Sequence, residues 1–276
     1  MKKIIFLALM ACCSTVMQAT ANGTLSGRFS VAPGLKVVFS QGNLQYNPYH
    51  DEWRFAEHQY DFVGGDKSGN VSFAFDNCSN CSVGPTYDCW IDLFGWGTGN
   101  APVQRVEDAA QYPEFNDWGD KVTKVHGALW LRWRTLTWEE WYYLLVERPH
   151  ADELRGQATV NNVHGYILLP DDWKLPNRIS FAPDPNNWTT NEYDTKQWKK
   201  MEEAGAVFLP AAGFRSDREV STVGAFGFYW SSTVFVSDRV PQDDARDIFI
   251  CEKRFGPRDH EKRYYGLSVR LVQDVF

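Results

Sequence analysis

The stretch Trp133-Arg134-Thr135-Leu136-Thr137-Trp138-Glu139-Glu140-Trp141 decides the fold class, because it contains the start of a helix that stands alone among strands. Thr137 followed three residues later by Glu140 forms a capping box, in which each side chain accepts a hydrogen bond from the backbone of the other residue. Apolar side chains at positions 138, 141, 142 and 145 then share one helical stripe, and Pro149 follows its end.

Outside this helix, the pattern predicts one more short helix and many strands. The second helix begins near Asp194 or Thr195 and stops at Gly205, with Trp198 and Met201 facing inward. Alternating and apolar runs predict strands at 35–40, 43–47, 53–55, 158–160, 163–169, 206–210, 228–236, 247–251 and 267–272, with hairpins at 43–55 and 158–169. The elements never form a strand–helix–strand series. We therefore predict one α+β domain over residues 22–276, with an N-terminal β-hairpin extension.

Composition excludes two broad classes of protein. The chain has 276 residues, of which 43% are hydrophobic and 23% are charged, so global disorder is excluded. The formal net charge of −7 argues against nucleic acid as a partner, which requires a clustered basic face. Aromatic residues make up 15% of the chain, enough to fill a core built from short strands and to supply a binding surface.

The first residues form an export leader. Lys2-Lys3 is a basic segment, residues 4–11 form a short apolar segment, and Ala19-Thr20-Ala21 has the form that signal peptidase cleaves after. An alternative is a lipoprotein leader over residues 1–11, which would make Cys12 a lipidated N-terminus and the protein's contact with membrane. Both predict export: secreted, periplasmic, or anchored at the outer membrane or cell surface.

Four cysteines lie beyond the leader, namely Cys78, Cys81, Cys89 and Cys251. An even number in an exported chain predicts two disulfides, and the sequence leaves all three pairings open. The alternative is a zinc knuckle at Cys78-x-x-Cys81. Because no second pair of Cys or His matches it, we expect no metal there.

Five motifs, the opening stretch included, occur together in a fixed order: Trp133–Trp141, Leu168–Trp173, Val207–Arg215, Gly227–Ser232 and Tyr265–Val272. This set resembles secreted proteins of gut Bacteroidetes with a C-type-lectin-like fold. Related patterns occur in the Fibrobacter succinogenes major paralogous domain and, more distantly, in the formylglycine-generating-enzyme group. The resemblance covers roughly residues 27–272. It implies two short helices packed on a mixed, mostly antiparallel sheet, with long loops and a closing strand that ends at Val272.

The chain lacks the residues that bind sugar or perform catalysis in these families. It lacks the Glu-Pro-Asn or Gln-Pro-Asp and Trp-Asn-Asp motifs of calcium-dependent sugar lectins. Asp184, Asn186 and Asn187 are the candidate calcium ligands, although a loop held by its own Asx side chains is the favoured interpretation. The late cysteine pair of the formylglycine-generating enzymes is represented by Cys251 alone. We therefore expect no cofactor.

No catalytic residue is predicted. Carboxylates occur as adjacent pairs at 139–140, 171–172 and 243–244, and adjacent side chains on a strand or helix point apart. Ser231-Ser232 lacks a nucleophile elbow, and the six His have no metal-binding spacing. A hydrolase whose site is assembled only in the fold stays the alternative.

The predicted function is ligand binding without turnover. Alternation in strands 228–236 and 247–251 places aliphatic side chains toward the core and two Phe outward, beside basic loops. The predicted site comprises Phe235, Arg239, Arg246, Phe249 and Lys253. We expect a glycan or a surface protein as partner. Two alternatives remain: the N-terminal hairpin covers both Phe, or the protein is a structural subunit of a surface assembly, which an unpaired edge strand would favour.

Overall fold

The computed structural model describes residues 23–65, 78–126, 132–237 and 243–275. The expected leader, with the lipidation candidate Cys12, and the site candidate Arg239 lie outside the described residues. The described chain consists mostly of sheets with a few short helices, so the predicted α+β class is confirmed.

Both predicted helices form, each with the cap that the sequence indicated. Thr137 caps the first of them in a capping box with Glu140, and Asp194 caps the second in a similar box with Gln197. A third helix, which starts at Gly119, was not predicted, because its eight residues contain just two apolar side chains. The helices of the described residues are α1 Gly119–His126, α2 Trp138–Tyr142, continued by a π-helical turn Tyr143–Glu147, and α3 Thr195–Glu203.

The strands are short, as the frequent turn residues suggest. In chain order, those in the described residues are β1 Phe29–Ala32, β2 Leu35–Phe39, β3 Leu44–Asn47, β4 Glu52–Phe55, β5 Trp133–Thr135, β6 Arg155–Val160, β7 Val163–Leu168, β8 Glu192–Tyr193, β9 Val207–Pro210, β10 Phe214–Ser216, β11 Glu219–Ser221, β12 Phe226–Val234, β13 Asp244–Cys251, β14 Arg254–Lys262 and β15 Leu271–Val275.

The first sheet, in the order β1-β2-β15-β5, joins the two ends of the chain. The closing strand β15 runs antiparallel to both neighbours, and its Val272 lies opposite Phe39 and Arg134. Arg134 forms ion pairs at 2.7 Å with Asp274 of β15 and with Glu140 of α2. The closing strand is thereby tied to the start of α2.

The second sheet has the order β8-β6-β7-β9 and contains a parallel pair, β6–β8. Its β6–β7 hairpin turns at Asn161 and Asn162, whose φ angles of 48° and 63° suit the tight turn expected for this dipeptide. The other predicted hairpin forms as β3–β4. In the described residues most strand pairs are antiparallel, as expected, but the strands form five separate sheets and not the single expected sheet.

The third sheet, β12-β13-β14, carries the C-terminal site candidates. Strand β14 was not predicted: Arg254 and His260 were expected in loops and instead pair with β13. The register shifts between Trp230 and Val234 on β12, and again opposite the Asp247–Phe249 segment of β13. Each irregularity changes which side chains face the core.

Three buried clusters support these sheets. One packs α2, through Trp141, against the first sheet, and another packs α3 against the second sheet through Trp198. The third is rich in aromatic residues, with Trp118 and Trp230 almost fully buried. Many of the aromatic side chains of the chain are therefore buried in the core.

Candidate ligand-binding site

A stack of aromatic and cationic side chains crosses one face of the third sheet. The Arg246 guanidinium carbon lies 4.6 Å from the ring centres of both Trp138 and Phe235. The Phe235 ring also stacks on His260, with centroids 3.9 Å apart and planes inclined by 12°. We call these four residues the arginine ladder. Each of them is half-buried, so the stack is held firmly and still reaches solvent.

Local structure explains how these four residues meet. Trp138 is the first residue of α2, where its backbone N–H donates to Thr233 Oγ1 at 3.0 Å and its indole N–H donates to Pro257 O at 2.7 Å. Arg246 and His260 are direct partners in the β13–β14 pair. The start of α2 is thus fixed against two strands of the third sheet.

The charges beside the ladder are balanced. The Asp244 carboxylate, which is nearly buried, lies 2.8 Å from His260 Nδ1 and 2.7 Å from Lys262 Nζ. Because a carboxylate accepts, this contact assigns the proton of neutral His260 to Nδ1 and leaves Nε2 as an acceptor. The hydrogen bond from Lys262 to Asp244 raises the pKa of that amine. The ladder therefore offers both donors and acceptors.

The structure corrects the predicted orientation of the end of strand 228–236. Val234 and Val236 were expected in the core, yet 36% and 63% of their surface is exposed. The register shift after Trp230 explains the error, because alternation cannot be extrapolated across a bulge. In β13 the alternation holds, since Ile248 and Ile250 are buried.

The structure does not bring Phe249 and Lys253 to the ladder. Phe249 lies on the opposite face of β13 from Arg246, half-buried against the rings of Phe226 and Phe228. Neighbouring strands, rather than the N-terminal hairpin, supply these ring contacts. Lys253 is exposed in the β13–β14 turn.

Lys253 lies beside a separate cleft of about 450 Å³. His164 and Trp188 form one wall of this cleft, with their rings 5.2 Å apart and nearly parallel. Phe226, Arg254 and the thiol-bearing Cys251 also line it. The five predicted site residues therefore do not form one site. Phe235 and Arg246 belong to the ladder, Phe249 and Lys253 lie on the side of the sheet that faces this cleft, and Arg239 lies outside the described residues.

Sequence reasoning missed two members of the ladder. Trp138 was assigned to the apolar stripe of α2, although its position directly after the cap places it at the edge of that stripe. His260 could not be placed, because strand β14 has no hydrophobic alternation to reveal its pairing.

The cysteines form one bridge in the described residues. Cys78 and Cys89 are joined, with Cα atoms 5.4 Å apart. Cys81 and Cys251 are free thiols, which corrects the expected second bridge. Cys81 lies in a 3₁₀ turn and Cys251 in β13, so the pair belongs to different parts of the fold.

The calcium candidates Asp184 and Asn187 have partners within the chain. The Asp184 carboxylate accepts from Tyr166 Oη of β7 and lies 3.0 Å from Arg155 Nε of β6. Asn187 Oδ1 accepts from the backbone of Thr189 and of Thr190. The Asn187 contacts are Asx-type, whereas those of Asp184 join the loop to the second sheet.

The adjacent carboxylates also have structural partners. Glu140 caps α2 and pairs with Arg134, and Asp171 lies 3.1 Å from Arg148 and 2.9 Å from Lys36. Elsewhere in the fold, burial lowers the pKa of Arg215 and the pKa of Arg270, each to about 10.

No family model, curated protein or solved structure significantly matches the chain. Among the helices of the described residues, none has the length and apolar character needed to cross a bilayer.

Proposed function

We propose that the protein is an exported, non-catalytic binding protein with a C-type-lectin-like fold, which recognises a glycan or a surface protein through the arginine ladder. The observation that carries this proposal is the guanidinium of the partly buried Arg246 between the rings of Trp138 and Phe235. Arg and aromatic residues dominate the energy of many interfaces, because rigid rings and fixed donors lose little freedom on binding.

The ladder suits a partner with both apolar and polar groups. Three of its four members carry rings, and Asp244 offsets the cations beside it. We therefore favour a polar partner with an apolar face over a purely anionic one. Export rests on the predicted leader, and the lectin-like fold rests on the motif resemblance, supported by two capped helices and a closing strand in the expected order.

The test is a glycan-array and pull-down screen with residues 22–276. Phe235→Ala and Arg246→Ala should each weaken binding roughly tenfold, corresponding to about 1–2 kcal/mol. The matched controls are Phe249→Ala and Arg254→Ala, which remove the same pair of residue types from the opposite face, where they lie 5.0 Å apart. Weaker binding by the controls alone would move the site to that face.

An assembly subunit is the second candidate function. Strand β14 is nine residues long, and within the described chain it pairs with β13 alone. However, Pro257 removes one backbone donor, a bulge distorts the strand, and five of its nine residues carry charge. Such features protect an edge from strand addition. A concentration-dependent oligomer in sedimentation that Phe235→Ala leaves intact would favour assembly over ligand recognition.

A further inference from the structure

A row of side chains at one end of the third sheet lines the cleft of about 450 Å³. Phe226 of β12 pairs with Cys251 of β13, and Cys251 pairs in turn with Arg254 of β14. Direct cross-strand partners point to the same face of a sheet, so these three side chains lie side by side. The row therefore presents an aromatic ring, a thiol and a guanidinium to the cleft.

The other wall of the cleft is a pair of stacked rings that the fold holds in place. The rings of His164 and Trp188 lie 5.2 Å apart, with planes inclined by 9°. His164 Nδ1 lies 2.8 Å from Gly224 O, and the Trp188 carbonyl accepts from Thr159 Oγ1 at 2.8 Å. Because the Gly224 carbonyl can only accept, this contact assigns the proton of neutral His164 to Nδ1 and leaves Nε2 as an acceptor. The wall is thus preformed and adds one hydrogen-bond acceptor to the cleft.

Charged side chains stand at the edge of the cleft. Glu252, Lys253 and Arg254 line it and are exposed. Here the cations outnumber the carboxylate, although the chain as a whole carries a formal net charge of −7. The Arg254 guanidinium carbon lies 5.0 Å from the centre of the Phe249 ring, which holds this cation against the sheet. A ligand in the cleft therefore meets aromatic walls and a positively charged edge.

We propose that this cleft is a second binding site, which takes a small organic anion with a flat apolar body. The body lies between Phe226 and the stacked rings, and the anionic group meets Lys253 and Arg254. A volume of about 450 Å³ is typical of small-molecule pockets, which combine an apolar lining with a few polar groups that fix orientation. The site does not depend on the ladder, because Cys251 and Arg246 occupy opposite faces of β13.

Two probes that differ in charge and share one shape test the proposal. 2-Naphthoate carries a carboxylate on two fused rings, and 2-naphthamide is its neutral counterpart. In calorimetric titrations the purified protein should bind the carboxylate about tenfold more tightly than the amide, and Lys253→Glu should remove this preference. The matched control is Lys199→Glu, which makes the same charge change at an exposed position of α3 and should preserve the preference. Equal affinity of the wild-type protein for both probes, or no binding of either, would overturn the proposal.

The thiol in the cleft shows where the probe binds. Iodoacetamide is neutral and alkylates free thiols, which in the described residues are Cys81 and Cys251. Saturating 2-naphthoate should slow the alkylation of Cys251 about fivefold, followed by peptide mass spectrometry, because the bound rings block access to the thiol. Cys81 lies in the Cys78–Cys89 loop and should react at an unchanged rate. Binding of 2-naphthoate that leaves Cys251 unprotected, or protects both thiols equally, would overturn the assignment to this cleft.

Discussion

Replacing Asn80 with alanine should cost far more stability than its place in a polar loop suggests. Asn80 is fully buried, and its Oδ1 accepts from the backbone N–H of Asp92 at 2.9 Å and of Leu93 at 3.1 Å. Its Nδ2 donates to Asp92 Oδ1 at 2.8 Å and to Gly64 O at 3.0 Å. One side chain therefore connects the disulfide-bonded loop to the segment that enters the aromatic core.

The expected magnitude follows from the groups that lose partners. In the alanine variant, two buried backbone N–H groups lose their acceptor, and each unsatisfied donor costs about 1–3 kcal/mol of stability. The buried Asp92 carboxylate also loses one hydrogen-bond donor. Gly64 O retains the backbone N–H of residue 80. We therefore expect a loss of about 4 kcal/mol in the free energy of unfolding, or roughly 10 °C in melting temperature for a chain of this size.

The assay is urea unfolding under non-reducing conditions, which keeps the Cys78–Cys89 bridge intact. Ser79→Ala is the graded control. Ser79 accepts one hydrogen bond, from Cys81 N, at a half-buried site, so its loss should cost about 1 kcal/mol. If Asn80→Ala destabilises the protein no more than Ser79→Ala, the inference that Asn80 organises this loop is wrong.

Three further outcomes are expected. Thr137→Ala should lower the free energy of unfolding by about 1 kcal/mol, because Glu140 N loses its acceptor, while ligand binding stays unchanged; a large binding defect with unaltered melting would contradict this. Burial raises the pKa of Asp92 from 3.8 to about 6, so the native state holds a proton that the unfolded state has lost, and stability should fall by about 2 kcal/mol as pH rises from 4 to 6; Asp92→Asn should flatten this slope in pH-dependent unfolding. Thiol counting on denatured, non-reduced residues 22–276 should find two thiols, from Cys81 and Cys251, whereas zero would indicate a second bridge.

Local signals predicted the elements that local chemistry stabilises. A capping box located α2, a start near Asp194 and a stop at Gly205 located α3, and the Asn161-Asn162 dipeptide located a hairpin, because such local motifs satisfy their own backbone. Strand β14 escaped prediction because its pairing with β13, rather than its own pattern, makes it a strand.

Tertiary contacts set the features of the site that sequence reasoning missed. Arg246 was predicted at the binding surface, but its stacking partner Trp138 lies more than a hundred residues earlier in the chain. This relation leaves no periodic trace in the sequence.

The position of β15 between β2 and β5 has a consequence for biosynthesis. The first sheet lacks the strand between β2 and β5 until residues 271–275 have been made, so its native pairing must await the synthesis of β15. A chain that stops at Arg270 would expose two unpaired strand edges, at β2 and at β5. Truncation before β15 is therefore expected to promote aggregation through these edges.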